Sequence, residues 1–330
     1  MKVLFYITQF EKVKDATQFY LETINKALTG SSELSIKNNI RDIKNVEFVI
    51  TFTVTDFFKL KIRKPRIKII HWFQGILPEE VLLKSGNQKQ YFILGWLERF
   101  VLKLSYANFF VSDAMRKHFN KKYGYKKSNF VLMPCFNGIL KAKEDFIKKK
   151  QISNKFVYIG SMASWQCLED ILLSFKKIKN KKPDSQLTIF TGEQEKAKAL
   201  CEKYGVIACI DYVPLADISN KLLEFNYGFL LRDDHLVNRV ATPTKMSTYL
   251  ASGVIPIYSD VIEDFKIFDN LTYKVKVDQQ HDDLIKKIRV LEKRRSEQHL
   301  FEEYKNIFQQ YYNSTYYIEI IRKHYLFNKF

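Results

Sequence analysis

The 330 residues are 46% hydrophobic and 15% aromatic, with only 11 Gly and 7 Pro, which excludes a disordered, fibrous or low-complexity chain. That length buries a sizeable core in two ordinary domains or one large one. Lys and Arg number 54 against 36 Asp and Glu, a net charge of +18 that points to a polyanionic partner. Residues 1–150 hold 28 basic and 13 acidic side chains, whereas residues 151–330 hold 26 and 23. A generally Lys-rich surface accounts for a uniform excess but not for this asymmetry.

The chain opens on Lys2–Thr8, a short β-rich run suited to a buried strand, followed by a polar helical stretch over 15–28 that ends near Gly30. Val46–Phe52 and Ile67–Phe73 are further strand candidates. Leu94–Leu104 carries apolar residues at helical spacing and leads into another strand, Asn108–Ser112, after which Asp113 reads as a helix cap. Strands alternating with helices imply a parallel sheet covered by helices. Between 141 and 155, ten of fifteen residues are Lys, Glu, Asp, Gln or Asn, and this run reads as an interdomain linker.

The alternation then restarts. Phe156–Gly160 is a strand ending in glycine, 167–180 an amphipathic helix, and Leu187–Thr191 a strand before a helix running to about Tyr204. Ile207–Tyr212 and Tyr227–Leu231 are strands. Thr244–Ala251 is a helix closed by Gly253, and Val254–Tyr258 is a strand. The expected organisation is an α/β domain over 1–150, a second over 151–312, and a returning helix over 313–330. That aromatic tail either packs on the first domain or lies on a membrane, and packing is preferred. Cys135, Cys167, Cys201 and Cys209 form no CxxC pair and no metal-ligand spacing. With no signal peptide in the opening residues they read as reduced cytoplasmic thiols. No run of 18 apolar residues exists to span a membrane.

The most informative stretch is Leu230–Ile257. Pro243 fits the first turn of a helix, with Thr242 as its cap. The free amides of such a terminus suit a phosphate. Lys245, one turn inside, adds a point charge, and Arg232 at a strand end adds a bidentate donor. In an open α/β sheet, ligands bind in the crevice at strand ends.

Pro243-Thr-Lys245 followed by Tyr249-Leu-Ala-Ser-Gly253-Val-Ile-Pro256 resembles the donor-site helix of glycosyltransferases with the two-domain GT-B fold. The likeness is greatest to bacterial polysaccharide enzymes of glycosyltransferase family 4. Trp72–Glu80 resembles a first-domain loop of such enzymes, Phe110–Met115 a strand-to-helix step, and Tyr158–Gln166 the glycine turn that opens the donor domain. The resemblance implies two Rossmann-like, doubly wound domains facing a central cleft. It also implies a nucleotide-sugar donor held mainly by the second domain and a glycan or polyprenyl-linked acceptor held mainly by the first. Transfer with retention follows from the family, as does chemistry without a metal or other cofactor. The enzyme would work in the cytoplasm on the anionic inner face of the cell membrane, extending a lipid-linked surface glycan.

On this resemblance Gly160 and Ser161 lie against the donor phosphates, Arg232 and Lys245 are their charge partners, and Thr242, Pro243 and Thr244 supply hydroxyl or backbone contacts. Trp165 either stacks on a nucleobase or fills core, and His235, Asn238 and Arg239 complete the donor set. Many relatives carry two Glu residues where this chain has Val240 and Thr248, and Arg and Lys after the glycine turn, where it has neither. Asp233 or Asp234 is then the substitute carboxylate, with Asp234 the catalytic candidate. His71, ending a strand, is either catalytic or structural. Trp72, Gln74, Gly75 and Glu79 form the acceptor set, although adjacent Glu79 and Glu80 also fit a solvated turn. Two other readings compete: a nucleic-acid-binding protein using the basic half, for which no motif is present, and an inactive scaffold of the same fold.

Overall fold

Short runs of β-branched and aromatic residues, buried on both faces in the inner strands, form two parallel sheets in the computed structural model, which describes residues 2–9, 13, 15–149, 154–278 and 283–326. Internal contacts divide the chain into two units. The first takes Met1–Cys135, Arg239–Thr242 and Asn313–Phe330; the second takes Phe136–Asn238 and Pro243–Tyr312.

The first unit runs β1 (Val3–Tyr6), α1 (Asp15–Thr29), β2 (Ile36–Lys37), β3 (Phe48–Thr51), α2 (Val54–Arg63), β4 (Lys68–Phe73), α3 (Leu77–Ser85), α4 (Gln88–Leu104), β5 (Ala107–Phe110), α5 (Asp113–Tyr123) and β6 (Phe130–Leu132). Its sheet order is β2-β1-β3-β4-β5-β6, all parallel. Ser112, not Asp113, caps α5: its hydroxyl accepts from the Met115 amide, while Asp113 in the first turn pairs with Arg116 and Lys117.

The second unit runs α6 (Lys143–Lys148), β7 (Lys155–Ile159), α7 (Leu168–Lys181), β8 (Gln186–Phe190), α8 (Gln194–Tyr204), β9 (Cys209–Asp211), α9 (Leu215–Lys221), β10 (Tyr227–Leu230), α10 (Leu236–Arg239), α11 (Thr244–Ala251), β11 (Ile255–Ser259), β12 (Val275–Val277), α12 (Leu284–Arg294) and α13 (Glu297–Gln310). The last residue of α10 groups with the first unit. The sheet order is β12-β11-β10-β7-β8-β9, the doubly wound arrangement with its reversal between β7 and β10.

The polar run at 141–155 is not a plain linker. Residues 150–153 lie outside the described residues, but α6 precedes them and buries Phe146 edge-on against Phe301 of α13, at 5.2 Å between centroids. Lys149, also buried, donates to the Ser252 and Gly253 carbonyls at 3.0 and 2.8 Å, satisfying the C-terminal end of α11. Burial holds its pKa well below the ordinary lysine value, and the Arg295 charge lowers it further.

The C-terminal stretch forms α14 (Ser314–Leu326) and packs on α1 within the first unit; residues 327–330 lie outside the described residues. Arg322 donates to the Lys26 and Ala27 carbonyls at the end of α1, both at 3.3 Å. Among the described residues no helix is long and apolar enough to cross a membrane.

Candidate functional site

The chain reversal in the second sheet brings two loops side by side: residues 160–166 leaving β7 and residues 231–235 leaving β10. Gly160 turns the first loop with φ +142°, a conformation that L side chains rarely adopt. A Cβ there would also stand 2.6 Å from Lys245 Nζ, so a side chain would displace the end of that lysine besides straining the backbone. Tyr158 steadies the turn by donating to the Ser161 carbonyl at 2.6 Å. The loop ends in a 3-10 turn, Ser164–Gln166, which delivers the Gln166 amide.

Two cations converge on that amide. Arg232, 7% exposed, donates through Nη1 to Gln166 Oε1 at 2.7 Å and to the Trp165 carbonyl at 3.3 Å. Lys245, in the first turn of α11, donates to the same Oε1 at 2.5 Å and lies over the Tyr158 ring, 4.2 Å from its centroid. Burial holds the Lys245 pKa well below the ordinary lysine range, and Arg232 pushes it down further. Burial lowers Arg232 as well. Their shared acceptor is a neutral amide oxygen, so the site carries a concentrated positive charge that an anion would relieve. Both cations are legible in the sequence but Gln166 is not; nothing in its spacing marks it, beyond its place at the end of the glycine loop.

The start of α11 differs from expectation. Pro243 itself occupies the capping position, with no side-chain cap bond. Thr242 belongs to the first unit, where its hydroxyl accepts from the Cys135 amide at 3.0 Å, so it is not a cap. Thr244 opens the helix as its first residue. Thr248 is buried, and its hydroxyl bonds the Thr244 carbonyl at 3.0 Å and Asn137 Oδ1 at 3.1 Å. It is therefore committed to the segment packed against α11 rather than presented to a ribose.

Around this core Trp165 is half-buried and Ser161 exposed. Asp233 and Asp234 are exposed just beyond Arg232. His235 Nδ1 accepts from the Val237 amide, and buried Asn238 donates to the Asp233 carbonyl at 2.9 Å, so both shape the loop. Arg239 is exposed and groups with the first unit. Among the described residues one group brings metal-ligating atoms within 4.8 Å of one another: Cys167, Asp170 and Asp233. Burial pushes the Cys167 thiol up to about 12, and the Asp233 charge adds to the shift, so without a metal the sulfur stays a protonated thiol.

In the first unit, His71 does not end its strand. It lies inside β4, 1% exposed, with Nδ1 2.8 Å from Thr51 Oγ1 and its ring between Phe57 and Phe73. Burial lowers its pKa to about 3, so it is a neutral ring joining β3 to β4 rather than a proton carrier. Trp72 is equally buried, stacked 3.9 Å from Tyr20. Gln74 is exposed, and the Glu80 carboxylate folds over Gly75, where a Cβ would come within 1.9 Å of it. Glu79 is buried and paired with Lys122 at 2.5 Å and His118 at 3.3 Å. Burial opposes its ionisation, but those partners prevail and hold its pKa below the usual value. It is neither a solvated turn residue nor a free acceptor contact.

No protein-family model and no curated protein matches the chain. Solved structures do. Over 98% of both chains it is similar to Anabaena Alr3699/HepE in complex with UDP-glucose, with TM-score 0.75 and 11% identity. WaaG, a glycosyltransferase involved in lipopolysaccharide biosynthesis, aligns with TM-score 0.65 and 12% identity over 97% of this chain and 99% of that one. A mutant of S. aureus TarM in complex with Fondaparinux, alpha-GlcNAc-glycerol and UDP aligns with TM-score 0.61 and 13% identity. The chain spans only 55% of that protein's length, over 86% of its own. Two doubly wound parallel sheets in this order, shared with such structures, give this chain the two-domain GT-B fold.

Proposed function

We propose that the protein is a glycosyltransferase that binds a nucleotide-sugar in its second unit and transfers the sugar to a surface glycan. The observation that carries this reading is the pairing of Arg232 and Lys245 on one neutral amide oxygen beside Gly160. Two cations crowded together in a buried site are unfavourable unless a polyanion joins them, and a nucleoside diphosphate supplies that charge. Their place at the chain reversal of a doubly wound sheet is where such ligands bind. Structures of similar fold hold UDP or UDP-glucose, so UDP is the first nucleotide to test.

In the reaction, negative charge grows on the departing diphosphate as the glycosidic bond breaks. Arg232 and Lys245 stabilise that charge without a metal ion, and the free amides of α11 add to the field. Exposed Asp233 and Asp234 are the nearest carboxylates in sequence for the sugar hydroxyls. Transfer is with retention, and the acceptor is a lipid-linked glycan presented at the anionic inner face of the membrane; the +15 of residues 1–150 supports that partner.

Calorimetry with UDP and UDP-glucose tests the donor site. Arg232→Ala or Lys245→Ala should each weaken binding at least about tenfold, the loss expected for a desolvated charge-assisted contact. Unchanged affinity in both variants would move the donor elsewhere, and no binding of any nucleoside diphosphate would overturn the enzyme reading.

A further inference from the structure

Helix α4 presents a face that none of the described residues of its own unit covers. Its inward side buries Gly95, Glu98, Val101 and Leu102. Its outward side exposes Phe92, Ile93 and Trp96 at 62, 61 and 60%, with Phe100 and Leu104 continuing the row. The spacing of 92, 96, 100 and 104 places these side chains along one stripe of the helix. Trp96 and Phe100 lie 6.3 Å apart, and the Arg99 guanidinium sits 5.7 Å from the Trp96 ring.

The exposed charges on this helix are of one sign. Lys89, Arg99 and Lys103 are exposed beside the apolar row. The one acidic residue of α4, Glu98, points inward and accepts from the Tyr123 hydroxyl at 2.8 Å. A stripe of aromatic and aliphatic side chains flanked by cations and free of exposed carboxylates matches a surface that is anionic outside and oily just beneath. A second copy of the chain fits it poorly, because a two-fold contact through this face would set cations against cations.

We propose that α4 is the membrane-docking element of the protein, laying Phe92, Trp96 and Phe100 into the head-group boundary of an anionic bilayer while Lys89, Arg99 and Lys103 bind lipid phosphates. The inference rests on the membrane partner proposed above and locates it on one helix. It does not depend on the donor chemistry, because none of these residues belongs to the Arg232–Lys245 site.

The test uses the full chain with vesicles of phosphatidylcholine mixed with phosphatidylglycerol and with vesicles of phosphatidylcholine alone. Co-sedimentation should occur with the mixed vesicles only and weaken as salt is added. Substituting Phe92, Trp96 and Phe100 together by Ala, or Lys89, Arg99 and Lys103 together by Glu, should each lower the partition coefficient at least about tenfold. A blue shift of tryptophan emission on the mixed vesicles should disappear in Trp96→Phe. UDP binding by the same variants reports whether the fold and the donor site are intact, and so separates failure of docking from failure of the glycosyltransferase reading. Undiminished vesicle binding in both triple variants, equal binding to neutral vesicles, or concentration-dependent dimers abolished by the Ala variant would each overturn the proposal.

Discussion

Replacing Lys245 with Met should make the free protein more stable and its nucleotide binding weaker. Arg232 Nη1 and Lys245 Nζ sit 2.7 and 2.5 Å from the same Gln166 oxygen, so they are no more than about 5 Å apart. Two unit charges at that separation repel by about 3 kcal/mol at an effective dielectric near 20. Burial already holds the Lys245 pKa well below the ordinary lysine value, and the free protein sheds part of this repulsion by releasing the Lys245 proton, which lowers that pKa further. A lysine lowered on folding leaves the unfolded chain holding more protons. Stability therefore rises with pH from the folded pKa up to the ordinary value of 10.5, and the penalty is fully present below that window. Met keeps the volume and removes the charge, and Gln166 retains its bond from Arg232. Thermal unfolding near neutral pH should show a gain of about 1 kcal/mol or more, or roughly 1–2 °C per kcal/mol for a chain of this size. Affinity for UDP should fall at least about tenfold in the same variant. In the parent protein the diphosphate restores the Lys245 proton, so binding takes up protons and weakens as pH rises. Calorimetry in buffers of different ionisation heat measures that uptake. A variant less stable than the parent and unchanged in UDP affinity would refute the argument, because the lysine would then be a structural donor only.

Gly160→Ala forces a side chain into φ +142° and into the Lys245 ammonium, so UDP affinity and melting temperature should both drop, with a strain of about 1–3 kcal/mol. Lys149→Ala strips the Ser252 and Gly253 carbonyls of their donor and should cost about 1–3 kcal/mol in urea unfolding, with UDP binding preserved in the folded fraction. Glu98 is pushed up to about 8 by burial, outweighing the bond from Tyr123, so the folded state holds its proton longer than the unfolded chain. Parent stability should therefore fall as pH rises from about 4.5 to 8, and Glu98→Gln should flatten that part of a pH–stability curve. Thr248→Glu would bury a carboxylate against Asn137, so it should lower the melting temperature and fail to tighten UDP binding.

The strands were the most legible part of the sequence, because parallel strands buried on both faces are short runs of apolar residues with polar ends. Val3–Tyr6, Phe48–Thr51 and Tyr227–Leu230 fall inside the runs that composition marks. That same two-sided burial hid the fate of His71: when neither face of a strand is open, its place in the run says nothing about access. Composition misled at 141–155, where one buried Phe146 and the bonds of Lys149 outweigh ten polar or charged neighbours. Thr242 was misread because Thr-Pro suits a cap and a first turn equally, and Pro243 took the cap position instead. Charge partners are three-dimensional facts. Arg232 and Lys245 were recognisable singly, but their meeting on Gln166 depends on loops 66 and 79 residues away in the chain.

The return of α14 to α1 has a consequence for how the protein is made. A growing chain emerges from the ribosome in order, and its domains begin folding as they appear. The strands of the first unit come out first, yet the helix that covers α1 and occupies its terminal carbonyls is made after residue 312, when every residue of the second unit already exists. The second unit can therefore finish folding while the first still waits for its cover. For most of synthesis the apolar face of α1 stays open to chaperones, and the half that is translated first is completed last.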